Sequence, residues 1–390
     1  MKALGEEHIV GLLLRAYAEK GEQAGSREEA SKRSVVYVGF ERRREPNGAD
    51  RVLRLPETLR EKASVLATSE LHADTVRETA SEFFQVFDGA GITDASSVHV
   101  PELGTYHVQR EVLGTASEGK LPGKVAVVTG AAQGFGAAIA EGLATNGARV
   151  CVADIDAEAA AKKADEISEK HGSAVSFGVD VGDEESVAAL LRAVCERWGR
   201  LEIFVSNAGV LRAGSVLTLS ARDLQMVTTV NYLGFFYCTK YAGRVMAVQN
   251  HAAASGYTDI IQINSKSGLE GSKKNGAYAG SKFGGIGLTQ SFALELIEHA
   301  IKVNAVCPGN FFEGPLWSDP DSGLFVQYLR AGKVPGARSI EDVRRFYESK
   351  VPMGRGCRGS DVLRALLYLL EQEYETGQAV PVTGGQTMLS

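Results

Sequence analysis

The chain has 390 residues, of which 44% are apolar and 23% are charged, a composition ordinary for a globular protein. This length suits one large domain with a smaller one better than a single average domain. The net charge of −6 at pH 7 argues against nucleic acid as a partner, because nucleic-acid binders usually carry a basic face.

Membrane and export segments are not indicated. No apolar run approaches the roughly 18 residues that span a bilayer. The first residues, MKALGEEHIVGLLLRAYAEKGEQ, are too acidic and too interrupted for a secretory signal, and they predict an amphipathic helix. We therefore expect a cytoplasmic protein with no membrane or nucleic-acid partner.

The five cysteines lie far apart and include no C-x-x-C pair. Such spacing argues against a disulfide framework and against a structural zinc site. Four of the five stand in or beside apolar runs, which predicts buried free thiols. We expect no metal in this protein.

Residues 1–120 form the first of two parts. Charge comes there in dense runs, and the pattern predicts an α-rich region with helices over 5–20, 57–88 and 104–115 and a strand over Ser34–Phe40. The histidines His8, His72, His99 and His107 are scattered, whereas a catalytic zinc site needs convergent ligands. Small residues over 115–123 predict a linker, and we expect residues 1–120 to be structural or to mediate an interaction, without supplying catalytic groups.

Residues 121–390 alternate short β-branched runs with helix-length segments. Strands that are apolar on both faces and separated by helices predict a parallel sheet covered on both sides. Right-handed crossovers then favour an α/β fold of the Rossmann type, a doubly wound parallel sheet with helices on both faces. The small α-rich region precedes it.

A glycine-rich turn follows the first of these strands, at Gly130, Gln133, Gly134, Phe135 and Gly136. The first glycine permits the tight turn, the second lets the backbone approach a pyrophosphate, and the third lets helix and strand pack closely. The helix N-terminus then offers free N–H groups to phosphates. The strand before and the helix after this run predict a dinucleotide site.

The next strand ends in Asp154, which is followed by Ile155. An acid at this place accepts hydrogen bonds from the ribose hydroxyls of NAD and repels the 2′-phosphate of NADP. No Arg or Lys flanks it, so the sequence predicts NAD as the cofactor. A helix N-cap is the alternative role, but Asp156 fits that role better.

Two later strand ends complete the predicted cofactor site. Asp180-Val181 ends the third strand of this part and is expected to bracket the adenine. Asn207-Ala208-Gly209 ends the fourth, where small residues would let the cofactor lie across the sheet edge.

A candidate catalytic group follows. Tyr278 and Lys282 are four residues apart and so lie on one face of a helix, Ser265 ends the preceding strand, and Asn231 lies in a helix after the fourth strand. Moving a hydride at an alcohol carbon requires a proton to move at its oxygen. A lysine ammonium and the positive nicotinamide would lower the tyrosine pKa, Ser265 would hold the substrate oxygen, and Asn231 would hold a water linking Lys282 to solvent.

The glycine turn, Asn-Ala-Gly, Asn231, Ser265 and Tyr-x-x-x-Lys come in an order that resembles the short-chain dehydrogenase/reductase superfamily, over about 270 of the 390 residues. The resemblance implies a catalytic tetrad of Asn231, Ser265, Tyr278 and Lys282, with Tyr278 and Lys282 also touching the cofactor. It implies that Pro308-Gly309 contacts the nicotinamide and that the chain forms a homotetramer or homodimer. Ser206, where the family often has a second Asn, is a small departure.

Segments such as KKNGAYAGSKFGGIGLTQSFALELIEHAIKVNAV and FYESKVPMGRGCRGSDVL further resemble the sorbitol-6-phosphate 2-dehydrogenase branch of that family. This branch includes the dehydrogenase halves of fusions with a class II sugar-phosphate aldolase, which would make residues 1–120 an aldolase-domain remnant. The implied reaction is oxidation of a sugar-alcohol phosphate, sorbitol 6-phosphate to fructose 6-phosphate.

Polar residues near the predicted substrate site fit a phosphate. Lys266 and Arg355 are the candidate phosphate ligands, and Asn310 and Glu313 are candidate hydroxyl ligands. The other lysines near this predicted site are more simply interpreted as solvated surface residues. Two alternatives stay open: dehydrogenation of an unphosphorylated polyol, and an NAD-binding scaffold that acts through residues 1–120.

Overall fold

The computed structural model of the chain describes residues 4–23, 34–42, 50–92, 95–101, 103–112, 119–172, 174–253, 256–321, 323–330, 332 and 334–388. They form a smaller region up to residue 112 and an α/β unit from residue 119. No helix within these ranges is both long and apolar enough to cross a membrane.

The smaller region packs helices against a four-stranded sheet. Its helices are α1 (Glu6–Gln23), α2 (Glu57–Thr68) and α3 (Ala73–Gly89), and its strands are β1 (Ser34–Glu41), β2 (Arg51–Val52), β3 (Ser97–Val100) and β4 (Gly104–Val112). The sheet order is β1-β4-β3-β2, with β4 antiparallel to both neighbours and β2 parallel to β3. The predicted first helix and first strand are confirmed.

The helix predicted over 104–115 is wrong, because Gly104–Val112 is a strand. Tyr106 and Val108, two residues apart, both enter the core, which is the spacing of a strand rather than a helix. Pairing with β1 and β3 on both sides satisfies the backbone of β4. The first part of the predicted linker, residues 115–118, lies outside the described residues.

The α/β unit alternates strands and helices as predicted. The strands are β5 (Val125–Thr129), β6 (Arg149–Asp154), β7 (Ala174–Gly178), β8 (Ile203–Ser206), β9 (Thr258–Ile263), β10 (Ile301–Pro308) and β11 (Ala379–Val382). The helices are α4 (Gly134–Thr145), α5 (Ala157–His171), α6 (Glu184–Trp198), α7 (Ala221–Thr228), α8 (Gly234–Ala252), α9 (Gly276–Leu296), α10 (Pro315–Ser318), α11 (Leu324–Arg330), α12 (Ile340–Glu348) and α13 (Gly359–Glu371).

The sheet order β11-β10-β9-β8-β5-β6-β7, with parallel pairing throughout, is that of a doubly wound fold. One hydrophobic cluster covers the face under α4, α5 and α13, and another covers the face under α6 and α8. The chain reverses direction of winding between β5 and β8, and the carboxyl edge of the sheet at that point is where such folds bind ligands. The predicted fold class is confirmed.

Helices α10, α11 and α12 form a lid after β10 with a small core of its own. Phe312, Trp317, Phe325 and Val343 are buried in it, and the ring centroids of Phe312 and Trp317 are 4.9 Å apart. The lid therefore holds its shape as a packed unit next to the carboxyl edge of the sheet.

The smaller region shares one continuous core with the α/β unit. Buried side chains of α1, α3 and β1 belong to the same cluster as Trp198 of α6 and Tyr241 of α8. Arg244 of α8 donates to the carbonyl oxygens of Leu66 and Ser69 at the end of α2, at 2.8 and 2.7 Å. The region thus docks on the face of α6 and α8.

A buried chain of charges crosses this junction. Arg15 of α1 is fully buried and donates to Glu19 at 2.8 Å, and Arg200 donates to the other oxygen of Glu19 at 2.9 Å. Arg200 also donates to Glu202 at 2.8 Å, and Glu202 accepts from the Val125 backbone N–H at 2.7 Å. Burial raises the pKa of Glu202, but Arg200 and its hydrogen bonds outweigh burial and lower that pKa overall.

Replacing Glu202 by Gln should lower the free energy of unfolding by about 3–5 kcal/mol, because it leaves two buried arginines, Arg15 and Arg200, sharing the single carboxylate of Glu19. Denaturant unfolding at pH 7 measures the loss. Since the pKa of Glu202 is depressed, its contribution is present above its unfolded pKa and fades as pH falls below it, so the two proteins should converge in acid. Glu141→Gln, which breaks the exposed pair with Lys170, is the control and should cost under about 1 kcal/mol. Equal losses in both variants would contradict the prediction.

Candidate active site

The turn between β5 and α4 favours glycine at the predicted places, by backbone conformation at Gly130 and Gly134 and by lack of space at Gly130 and Gly136. Gly130 and Gly134 have φ of 63° and 64°, which side-chain-bearing residues rarely adopt. A Cβ on Gly136 would lie 2.1 Å from the Gly130 carbonyl oxygen. Open space surrounds the Cβ position of Gly134, so its backbone faces outward from the turn. The cradle fits the diphosphate of a dinucleotide.

Asn207 and Thr129 hold this turn in place. The Asn207 amide donates to the carbonyl oxygens of Thr129 and Gly130, both at 2.9 Å. The Thr129 hydroxyl accepts from the backbone N–H groups of Asn207 and Ala208. Sequence analysis missed Thr129, although a polar residue ending an otherwise apolar strand was the available signal.

Asp154 lies at the carboxyl end of β6 and reaches the same turn. Its Oδ2 accepts from the Ala132 N–H at 2.9 Å and its Oδ1 accepts from the Asp156 N–H at 3.1 Å. The helix cap is Asp156, whose side chain accepts from Ala159 N–H, as predicted. Ile155 is 73% exposed beside it, and Gln133 is exposed at the start of α4. The carboxylate of Asp154 keeps lone pairs available to a ribose.

The remaining predicted cofactor residues lie along the same edge of the sheet. Asp180 is exposed just beyond β7, and Val181 is buried against Gly234. Pro308 ends β10, and the N–H of Gly309 donates to Val382 O at 2.9 Å. Phe135 of the glycine turn stacks on Phe311, with centroids 4.3 Å apart and planes 14° apart. This stack ties the glycine turn to the chain that leads into the lid.

Tyr278, Lys282 and Ser265 are brought together where β9 ends against α9. Lys282 Nζ lies 5.7 Å from the centroid of the Tyr278 ring and donates to the Ile263 carbonyl oxygen at 3.0 Å. The Ser265 side chain lies near enough to the Tyr278 hydroxyl to lower its pKa. The predicted base, its cation and the predicted oxygen ligand therefore form one cluster.

The ionisation of this cluster is set mainly by burial. Loss of water raises the pKa of Tyr278, while the neighbouring Ser265 side chain lowers it. Burial lowers the pKa of Lys282 to about 8. The lowering of the Tyr278 pKa expected from Lys282 together with the positive nicotinamide stays a prediction.

Asn231 lies in a π-helical turn, Thr229–Leu233, between α7 and α8. Its Oδ1 accepts from the Val210 N–H at 2.8 Å, and its amide donates to the Val210 carbonyl at 2.9 Å and to Ser281 Oγ at 3.1 Å. Ser281 in turn donates to the Tyr278 carbonyl at 2.8 Å. The Asn231 side chain braces the helix that carries Tyr278, and both of its amide hydrogens are already donated to protein groups.

Asn264 is a second supporting residue that sequence analysis did not single out. Its Oδ1 accepts from the Ser265 N–H at 2.8 Å, and its amide donates to the Lys282 carbonyl at 2.9 Å and to Gln262 at 2.7 Å. These bonds hold the end of β9 at a fixed distance from the turn of α9 that carries Lys282. The available signal was a pair of polar residues, Gln262 and Asn264, in a buried strand.

The four predicted substrate residues have different surroundings. Lys266 directly follows Ser265 and is half-buried, and the Asn310 carbonyl accepts from Cys357 N–H at 2.8 Å. Glu313 and Arg355 line a cavity of about 80 Å³. Arg355 donates to both carboxylate oxygens of Asp361, at 2.6 and 3.1 Å, so its charge is neutralised within the chain.

The part of the chain that the structure describes contains no candidate metal site. No group of three or more His, Cys, Asp or Glu side chains there is placed to hold an ion.

Comparison with known proteins identifies relatives of the α/β unit. Residues 124–316 match the family described as short chain dehydrogenase. The chain is 40% identical over 270 residues to sorbitol-6-phosphate 2-dehydrogenase of Escherichia coli K12, covering 68% of this chain and 99% of that protein. The crystal structure of sorbitol-6-phosphate 2-dehydrogenase SrlD from Erwinia amylovora is similar with a TM-score of 0.62 and 40% identity, over 68% of this chain and 100% of the other. The NADP complex of RhlG from Pseudomonas aeruginosa is similar with a TM-score of 0.59 and 27% identity, over 68% and 97%.

Replacing Gly136 by Ala should weaken binding of a nicotinamide dinucleotide by more than about 10-fold, because the new Cβ would push the Gly130 carbonyl out of the turn. Isothermal titration with NAD and with NADP measures the affinity. Gly89→Ala is the matched control, since a Cβ there meets nothing within 4 Å. Unchanged affinity in a folded Gly136→Ala protein would show that the turn does not hold the cofactor.

Proposed function

The chain belongs to the short-chain dehydrogenase family, and we propose that it oxidises sorbitol 6-phosphate to fructose 6-phosphate with NAD. One observation carries this proposal: the Ser265, Tyr278 and Lys282 cluster and the glycine cradle lie at the same carboxyl edge of one sheet. A cofactor held in the cradle would cross the edge toward the cluster. A cofactor cradle and a proton-transferring cluster at one edge of the sheet are the arrangement that hydride transfer at an alcohol carbon requires.

The residues that would hold the cofactor are those of the cradle and its rim. The turn from Gly130 to Gly136 and the N-terminus of α4 would hold the diphosphate, and Asp154 would accept from the ribose hydroxyls. Pro308 and Gly309 would contact the nicotinamide. When bound, the nicotinamide ring supplies the acceptor for the hydride.

Tyr278 is the proposed general base in the oxidation direction. Its hydroxyl oxygen, as the phenolate, takes the proton of the substrate alcohol, while Ser265 holds the alcohol oxygen by a hydrogen bond. Lys282 places positive charge beside the ring, which favours the phenolate. Because both amide hydrogens of Asn231 are donated to Val210 and Ser281, it would hold a water on the path from Lys282 to solvent through the second lone pair of its Oδ1, while those two bonds brace α9.

The proposed substrate class is supported by the similarity to named relatives and by the charge of Lys266. The Escherichia coli and Erwinia amylovora relatives are named for sorbitol 6-phosphate, and 40% identity supports carrying that substrate to this chain. Lys266 beside Ser265 is suited to a substrate that carries phosphate. Dehydrogenation of an unphosphorylated polyol is the second candidate, because hydroxyl ligands would serve either substrate.

The region of residues 1–120 is proposed to be structural. Every proposed catalytic and cofactor residue lies from Gly130 onward, whereas the region contributes Arg15 and Glu19 to the buried charges and its helices to the shared core. Its described residues contain no group of side chains placed to hold a metal ion. The five free cysteines fit a reducing compartment, and we infer the cytoplasm.

A homo-oligomer is proposed for the assembly. Phe236 of α8 and Phe283 and Leu294 of α9 are exposed, Leu294 by 82%. Large apolar side chains on neighbouring helices favour association with a second copy, as a homodimer or within a homotetramer.

Tyr278→Phe should lower kcat by about 10²–10⁴-fold, because it removes the oxygen that carries the proton and keeps the ring. Initial rates of NAD reduction with sorbitol 6-phosphate measure it, and titration should show unchanged NAD affinity. Tyr374→Phe, at a fully exposed tyrosine, is the control and should keep wild-type rates. Near-normal turnover of Tyr278→Phe would exclude Tyr278 as the base.

Asp154→Ser should reduce kcat/KM for NAD and raise it for NADP, because it removes the carboxylate that repels the 2′-phosphate. The wild-type ratio of kcat/KM for the two cofactors is measured first and should favour NAD. Asp165→Ser, at an exposed site on α5, serves as control. A wild-type enzyme that prefers NADP would refute the assignment of Asp154.

A further inference from the structure

A pair of stacked aromatic rings joins two loops at the carboxyl edge of the large sheet. Phe135 is the second residue of α4, inside the glycine turn, and Phe311 comes shortly after the Pro308-Gly309 turn at the end of β10. Their ring centroids are 4.3 Å apart and their planes differ by 14°. Both side chains are half-buried. The stack is therefore a direct contact between loops that leave two different strands.

The order of strands determines what this stack has to span. In the sheet, β5 and β10 are separated by β8 and β9. Neighbouring strands lie about 4.8 Å apart, so the two loops leave the sheet roughly 14 Å from each other. Asn207 and Ser265 follow the intervening strands β8 and β9. The two rings consequently meet across the stretch of sheet edge that lies between the glycine turn and the catalytic cluster.

The two rings belong to different parts of the fold. The Phe311 carbonyl accepts from the Gly314 N–H at 3.0 Å, and a Cβ on Gly314 would overlap the Phe311 ring, so the chain turns closely around that ring. The next residue, Phe312, is buried in the lid core against Trp317. Phe311 is thus anchored to the lid, whereas Phe135 is part of α4. Separating the rings therefore requires the lid to move relative to the glycine turn.

We propose that the Phe135–Phe311 stack is an aromatic strap across the cofactor groove, which must open before a nicotinamide dinucleotide enters or leaves. The inference rests on the proposed function, because it takes the groove from the glycine turn to Ser265 as the dinucleotide site. A diphosphate on the N-terminus of α4 leaves the nicotinamide half on the side of the catalytic cluster. That half lies beyond the strap and is retained while the rings are in contact.

Opening the strap has an energetic cost that depends on both rings together. Each ring covers apolar surface of the other, and aromatic pairs are more stable than the area they bury accounts for. Removal of either ring abolishes the stack. Entry and release of the cofactor wait for the same opening, so loss of one ring should accelerate both. Loss of an ordinary cofactor contact, in contrast, accelerates release alone.

Stopped-flow fluorescence of NADH binding to the full chain, with release measured by displacement with excess NAD, tests the proposal. Phe311→Ala, which leaves the glycine turn intact, should raise both the association and the dissociation rate constants by about 3- to 10-fold. Phe311→Tyr keeps the ring and should restore rates close to wild type. The matched control is Phe84→Ala, which removes a half-buried phenylalanine in ring contact with Tyr17 on α1, and it should leave both rates unchanged.

The double variant Phe135→Ala with Phe311→Ala tests whether the two rings act as one unit. It should be no faster than Phe311→Ala alone, because the stack is already lost in the single variant. Wild-type protein that binds neither NADH nor NADPH would overturn the proposed function itself. Cofactor binding by wild type with unchanged rates in Phe311→Ala, or with faster release but no faster entry, would overturn the strap alone and leave the proposed function standing.

Discussion

The close approach of the β5–α4 turn to the end of β8 is the constraint on which the rest of the site depends. A Cβ on Gly130 would lie 2.7 Å from the Ala208 Cα, and one on Gly136 would meet both the Gly130 carbonyl and the Asn207 amide. This contact lies at the point where the sheet reverses its direction of winding, between β5 and β8. It leaves a groove bounded by backbone N–H groups instead of side chains, which is what a diphosphate requires. Asn207 and Thr129 then hold both sides of the groove at fixed distance.

The catalytic cluster is supported by amides in the same way. Asn264 connects the Ser265 backbone to the Lys282 carbonyl, and Asn231 connects Val210 to Ser281 on α9. Each of these side-chain amides both donates and accepts hydrogen bonds, so its partners determine its orientation. Tyr278 consequently stands on a helix that is fixed from two sides, and small displacements of the base, which are costly for proton transfer, are resisted.

The smaller region is part of the same folded body. Its helices share the core on the face of α6 and α8, and its Glu19 is a counterion to Arg200. Since the candidate site lies at the carboxyl edge of the sheet and Glu202 and Val125 lie at the amino ends of β8 and β5, the region supports the sheet at the edge opposite the candidate site. The smaller region would therefore influence catalysis indirectly, through the stability of the fold.

Local sequence determined most of the dehydrogenase unit. Apolar runs separated by helices specify a parallel doubly wound sheet, and Gly130, Gly136, Ser265, Tyr278 and Lys282 could be placed from it because their spacing along the chain also sets their distance in space. The strand nature of Gly104–Val112 was not predictable in this way, since its polar residues resemble a helix until β1 and β3 pair with it. Only tertiary structure decided that Arg355 is neutralised by Asp361, because the turn that brings these two side chains together before α13 cannot be recognised from their spacing in the sequence. The shared core with residues 1–120 was likewise a tertiary outcome, since which faces of two amphipathic units meet depends on their shapes together.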